Sequence, residues 1–167
     1  LRFHTQTAGV QLNAQQPEVN MVRVAIQALA AVLGGTQSLH TNSFDEAIAL
    51  PTEKAARLAL RTQQVIAYES DVCKTVDPFA GSYAIESLTD DVEAAAVELM
   101  DKVAELGGAV AAIENGFQKS EIERSAYRIA NEIDAGERVV VGVNRFTIDT
   151  DAPYEPLRVN PAIEAEQ

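Results

Sequence analysis

Cysteine, tryptophan and positive charge are scarce in this chain. Its single cysteine, Cys73, excludes an intrachain disulfide, and neither CxxC nor HExxH occurs, so no closely spaced set of metal ligands is present. Thirteen Lys and Arg stand against 25 Asp and Glu, a formal net charge of -12. The cations are scattered singly, which excludes a nucleic-acid or anionic-membrane surface built on clustered basic side chains. No apolar run approaches the ~18 residues of a membrane span, and the first residues lack the basic and apolar regions of a signal peptide. A reducing, cytoplasmic setting is the expectation. The chain opens Leu1-Arg2-Phe3-His4 rather than with Met, and it is expected to be a piece of something longer.

What is present suits a globular domain: 47% hydrophobic and 23% charged residues over a length that can build one core. Helical periodicity dominates. Val19, Val22, Ile26, Leu29 and Leu33 recur at steps of three and four, after Pro17 and before Gly34-Gly35, and predict a helix over 19–33. A second helix is predicted from an N-cap at Thr52 to about Ser70, with Ala55, Leu58, Val65 and Ile66 inward. A third runs from about Leu88 to Leu106 along Leu88, Val92, Ala95, Leu99 and Val103, and has an acidic outer face. A fourth opens on the capping-box pattern Ser120-Glu121-Ile122-Glu123 and is expected to bury Ile122, Ala126, Ile129 and Ile133 before Gly136. Residues 72–83 read as a loop. RVVVGVN at 138–144 is β-branched and reads as a strand, and the Pro- and Asp-rich DTDAPYEPLRVNP after it as an extended tail or linker.

Two polar stretches stand where buried strands would be apolar. His4-Thr5-Gln6-Thr7 and His40-Thr41-Asn42-Ser43 match in chemistry and lie 36 residues apart with one helix between them, close to the ~31 residues of a strand–helix unit in an eight-fold barrel. With Leu1–His4 and Thr36–His40 as parallel strands, both clusters fall at strand C-terminal ends, where such barrels build their sites. A solvated turn is the plain alternative, and Ser43 and Glu46 have capping-box spacing. Two histidines without a third ligand nearby do not make a zinc site. Gly34-Gly35 completes neither a GxGxxG nor a Walker pattern.

RFHTQTAG, LGGTQSLHTNSFDEAIALPTE, LRTQQVI, DPFAGSY and VVVGVN closely resemble the adenosylcobalamin-dependent acyl-CoA mutases of the methylmalonyl-CoA mutase family, over Arg2 to Asn144. The resemblance implies an α/β fold, the C-terminal portion of a (β/α)8 TIM-type barrel plus following helices. In that family the acyl-CoA threads the barrel, and a separate flavodoxin-like domain supplies the cobalamin. Residues 1–148 are then the C-terminal segment of the barrel domain with trailing helices, and 149–167 an extended tail or linker.

The resemblance also implies roles. His4 and Gln6 correspond to catalytic-site residues facing the thioester and acyl group, Gln37 and Ser38 to contacts with the pantetheine chain, and Asn42 and Glu46 to residues holding the adenosyl ribose. Arg2 corresponds to a position near the CoA phosphates. No DxHxxG signature occurs, so the cobalt ligand is expected from another domain or a small subunit, and the rest of the barrel from elsewhere. The implied reaction is a radical carbon-skeleton isomerisation, with methylmalonyl-CoA and succinyl-CoA the first pair, isobutyryl-CoA and n-butyryl-CoA the second, and ethylmalonyl-CoA a third substrate. By itself the chain is expected to be inactive. The rival reading is a non-catalytic helical interaction module derived from a mutase.

Overall fold

A computed structural model describes residues 1–149 and 153–167. They form two compact units, one of residues 1–79 with 148–167 and the other of residues 80–147. The expectation of an extended segment over 149–167 falls in part, at 150–152, outside the described residues.

The first unit begins with a β–α–β element. Strand β1 (His4–Gln6) pairs in parallel with β2 (Ser38–His40), in the register His4 to Ser38, Thr5 to Leu39 and Gln6 to His40. Helix α1 (Val19–Leu33) makes the connection that a parallel pair requires. Strand β1 lies later than expected, starting at His4 rather than ending there. The parallel pairing is as anticipated, and the ladder continues through Thr7 N–H to the His40 carbonyl. Fold class is therefore mixed α/β with a small parallel sheet.

Helix α1 has the bounds that its periodicity predicts, but its buried face is different. Asn20, Val24 and Ala28, one residue per turn, point into the unit, while Val22 and Ile26 stay exposed. The polar Asn20 hides this stripe from a hydrophobicity reading. Helix α2 (Glu53–Glu69) starts as expected, with Thr52 Oγ1 accepting from Ala55 N–H at 3.2 Å. Ala55 and Ile66 are buried, as read from the sequence, and Leu58 is half-buried, whereas Val65 remains exposed. The helix packs on α1 and is tied to β2 by side chains. Gln63 Nε2 donates to the Leu39 carbonyl and to Thr41 Oγ1, both at 3.0 Å, and Thr41 Oγ1 donates to the Ala59 carbonyl at 2.8 Å.

The second unit holds α3 (Tyr83–Glu105), α4 (Ala109–Glu114) and α5 (Phe117–Asp134). Helix α3 starts before the expected Leu88, on Ser82 in extended conformation. Helix α5 starts at Phe117, so Ser120 is not a cap; its N–H already bonds the Gly116 carbonyl at 2.9 Å. Of the residues expected to be buried in α5, Ile129 and Ile133 are half-buried, but Ile122 and Ala126 are exposed, as are Leu88, Val92 and Leu99 of α3. Periodicity reports which face of a helix is apolar, not whether anything covers it. Helix α4 escaped the sequence reading because six residues are too few to show a period.

RVVVGVN is a turn rather than a strand. The Val140 carbonyl accepts from Val143 and Asn144 N–H, Gly142 has φ +82°, and Val141 bridges Arg145. Asn144 locks the turn, its Oδ1 accepting from Val140 N–H and its Nδ2 donating to the carbonyls of Ile133 and Arg138, each at 2.8 Å. Local polar bonding of this kind overrides β propensity.

Candidate functional site

Because strand side chains alternate, His4 and Gln6 share one face of the sheet with their pairing partners Ser38 and His40. All four are exposed, and the opposite face carries the half-buried Thr5 and Leu39 toward the helices. One face of the sheet is thus wholly polar. His4 Nδ1 and Ser38 Oγ are 2.6 Å apart. With the hydroxyl donating to Nδ1, the ring carries its proton on Nε2, which is left to face a ligand.

Past the strand ends the polar face continues into the loops. Gln6 Nε2 donates to Asn42 Oδ1 at 3.1 Å, and Asn42 N–H donates to Thr7 Oγ1 at 2.9 Å. Asn42 is 1% exposed, and its Nδ2 is a buried donor with no hydrogen-bond partner, packed against Gly9. Glu46 lies on the same cluster. A Cβ placed on Gly9 would stand 2.9 Å from Asn42 Nδ2 and 3.0 Å from Glu46 Oε1, so the amide and the carboxylate converge on this glycine, and any side chain there would push them aside.

Two side chains of α1 hold the loops that build this corner. Gln27 Oε1 accepts from Ala8 N–H at 2.7 Å, and its Nε2 donates to Gln11 Oε1 at 2.9 Å, fixing the short 3₁₀ turn Gly9–Gln11. Asn20 is fully buried. Its Nδ2 donates to the carbonyls of Asn13 and Phe44 at 2.8 and 2.9 Å, while its Oδ1 accepts from Asn13 N–H and Arg23 Nη1.

Asp45, also fully buried, anchors the turn beneath Glu46. Its Oδ2 accepts from Thr52 N–H at 3.0 Å and from the Tyr154 hydroxyl. Burial alone would push the Asp45 carboxyl up, but the Ser43 hydroxyl, the Thr52 amide and the Tyr154 hydroxyl outweigh it and hold it below the ordinary carboxylate range. The Ser43 hydroxyl acts on that charge by proximity, since Asp45 Oδ1 has no donor in hydrogen-bonding geometry. Tyr154 shifts the other way, raised by burial and by the adjacent carboxylate.

The structure brings His4 against Ser38, Gln6 against Asn42, and Asn42 and Glu46 together at Gly9. Gln37 adjoins Ser38, with its Oε1 accepting from Phe3 N–H at 2.8 Å and its Nε2 donating to the Gly35 carbonyl at 2.7 Å. Arg2 precedes β1, exposed, and no hydrogen bond or ion pair among the described residues ties it to the cluster. A cleft of about 890 Å³ opens beside His40, Thr41, Ser43 and Glu46, and another of about 530 Å³ beside Gln37, Ser38 and Gln63. Sequence reasoning passed over Gly9, Asn20 and Asp45. Only Gly9 had a signal, an isolated glycine directly after a polar strand.

Among the described residues no group of three His, Cys, Asp or Glu side chains is placed to hold a metal, and no helix is long and apolar enough to cross a membrane. The cluster consists of neutral amides, a hydroxyl, an imidazole and one carboxylate. Such a set binds polar ligands by hydrogen bonds, and an amide beside a carboxylate suits the hydroxyls of a sugar.

Comparison with known proteins identifies a family. A family model described as methylmalonyl-CoA mutase matches residues 1–167. The chain is 49% identical over 168 residues to a methylmalonyl-CoA mutase of Escherichia coli (strain K12), and 48% identical over 168 residues to one of Rhizobium meliloti (strain 1021), covering 100% of this chain in both. It is 49% identical over 160 residues, 96% of this chain, to the mitochondrial methylmalonyl-CoA mutase of Homo sapiens. The chain spans 24%, 24% and 21% of the lengths of these relatives.

Proposed function

The chain belongs to the methylmalonyl-CoA mutase family, and on that premise we propose that it forms the C-terminal part of a (β/α)8 barrel of an isomerase acting on an acyl-CoA. The reaction in this reading is the interconversion of methylmalonyl-CoA and succinyl-CoA. Isobutyryl-CoA and ethylmalonyl-CoA are the competing substrates. The rest of the barrel and a cobalamin-binding domain or subunit complete the enzyme. The observation that carries this reading is the polar sheet face. A barrel interior is ordinarily filled by Val, Ile and Leu, and His4, Gln6, Ser38 and His40 on one face suit a ligand-filled centre instead.

In this reading His4 directs Nε2–H at the thioester carbonyl, held in that tautomer by Ser38, and Gln6 sits beside it with its amide oriented by Asn42. Gln37 and Ser38 contact the pantetheine chain along the smaller cleft, and Arg2 lies toward the CoA phosphates. Asn42 Nδ2 and Glu46 hold the ribose hydroxyls of the adenosyl group. The unsatisfied Asn42 donor and the glycine corner at Gly9 fit that sugar. When bound, adenosylcobalamin supplies the radical chemistry, and the chain's residues bind, orient and exclude water. The exposed free thiol of Cys73 suits a reducing compartment, and a cytoplasmic setting belongs to the same reading.

The test is an assay of the full-length protein carrying this chain, with adenosylcobalamin and each of the three acyl-CoA substrates in turn. Cofactor-dependent isomerisation of methylmalonyl-CoA is expected. Binding of neither cofactor nor acyl-CoA would favour the rival, a helical interaction module, for which the exposed apolar stripes of α3 and α5 speak.

A further inference from the structure

Tyr154 lies 109 residues after Asp45 in the chain, yet it donates its hydroxyl to Asp45 Oδ2 at 2.5 Å. It also stands 3.4 Å from Thr52 Oγ1. Its ring meets Phe44 edge-on, with centroids 5.7 Å apart and planes at 77°. A little further along, Leu157 forms an antiparallel bridge with Leu50. One short stretch of the C-terminal segment thus touches both ends of the loop between β2 and α2.

Between those ends is the turn that carries Glu46. Its geometry depends on Asp45, whose carbonyl accepts from Ile48 and Ala49 N–H at 2.9 and 3.0 Å, while the carboxylate caps the Thr52 amide. With Oδ1 lacking a donor, the buried carboxylate rests on Oδ2, which accepts from Thr52 N–H at 3.0 Å, from the Thr52 hydroxyl at 3.3 Å and from Tyr154. The Tyr154 hydroxyl is a charge-assisted donor to that other oxygen.

We propose that Tyr154 is a positioning residue of the Asn42 and Glu46 site, a latch by which the C-terminal segment fixes the turn bearing Glu46. The assignment of that site to the adenosyl group rests on the function proposed above, whereas the latch itself is a statement about residues 42–49. Tyr154 acts through Asp45, and its effect falls on the cofactor end of the site and not on the His4 and Ser38 end.

The experiment is Tyr154→Phe in the full-length protein, which removes one oxygen and keeps the ring against Phe44. Hydrogen exchange at the amides of Glu46, Ile48 and Ala49 is expected to quicken about tenfold, with the amides of Val24 and Ala28 unchanged. The adenosylcobalamin Kd is expected to rise about tenfold while the acyl-CoA KM stays within about twofold. A double-mutant cycle with Asp45→Asn is expected to be non-additive, because both changes act on one charge-assisted hydrogen bond. Unchanged exchange at 46–49 overturns the latch. So does a uniform rise that includes α1, or equal losses in Kd and KM, since these mark general packing. If the wild-type protein binds no adenosylcobalamin but its 46–49 amides respond to Tyr154→Phe, the latch stands and the cofactor assignment falls.

Discussion

Asn20, in the first turns of α1, donates through Nδ2 to the main-chain carbonyl of Phe44, 24 residues away, at 2.9 Å. The same amide closes on both the N–H and the carbonyl of Asn13. One fully buried side chain therefore joins the loop after β1 to the loop after β2, and these two loops carry Gly9, Asn42 and Glu46.

Asn20→Ala is expected to destabilise the protein by about 2–4 kcal/mol, because it removes the donor to the carbonyls of half-buried Asn13 and buried Phe44. Asn20→Asp is expected to cost at least as much, since a carboxylate would face two carbonyl oxygens. Urea unfolding of the full-length protein measures both. A midpoint for either variant equal to that of the wild type would remove Asn20 from the account of the site.

Gly9→Ala is expected to weaken adenosylcobalamin binding about tenfold with little change in stability, about 1 kcal/mol or less. The added methyl would stand 2.9 Å from Asn42 Nδ2 and 3.0 Å from Glu46 Oε1, and the two side chains would move apart. Titration of the cofactor followed by absorbance reads the change. An unaltered Kd would mean that the corner does not hold the ligand.

Ser38→Ala removes the hydroxyl that fixes His4 Nδ1 at 2.6 Å. The expected outcome is a loss of about three- to tenfold in kcat/KM for the acyl-CoA, corresponding to one hydrogen bond of about 1 kcal/mol, with the cofactor Kd unmoved. Steady-state kinetics at saturating cofactor separate the two. If the Kd moves and kcat/KM does not, the two ends of the site have been assigned the wrong way round.

Acidification tests Asp45. Its folded carboxyl holds a proton less tightly than the ordinary value of 3.8, so unfolding takes up a proton at low pH. Its contribution is fully present above the unfolded value and is lost as pH falls through the lower folded one. Denaturant midpoints are expected to drop on going below about pH 4, and Tyr154→Phe is expected to shrink the drop by removing one of the bonds that lower the carboxyl. Identical pH profiles for wild type and variant would contradict the assignment.

Much of the fold was legible in the sequence where a local rule decided it. The bounds of α1 followed from its periodicity and from Pro17 and Gly34, the start of α2 from Thr52, and the parallel strands from the twin polar stretches. The register, His4 opposite Ser38, was not, since no local pattern fixes how two strands joined through a helix align. At 138–144 the β-branched propensity lost to the hydrogen bonds of Asn144, and the buried face of α1 was masked by a polar residue at its head.

By itself the sequence determined the family, the helix periods and the candidates His4, Gln6, Ser38, Asn42 and Glu46, because these depend on residue identity at short range or in motifs. Only the tertiary structure decided that Asn42 is buried with an unused donor, that it and Glu46 close on Gly9, and that Tyr154 reaches Asp45. These contacts join residues far apart in the chain, 109 positions in the case of Tyr154 and Asp45, and no local propensity encodes them. They arise when the packing of α1 and α2 on the sheet brings distant backbone together and forces each buried polar atom to find, or lack, a partner.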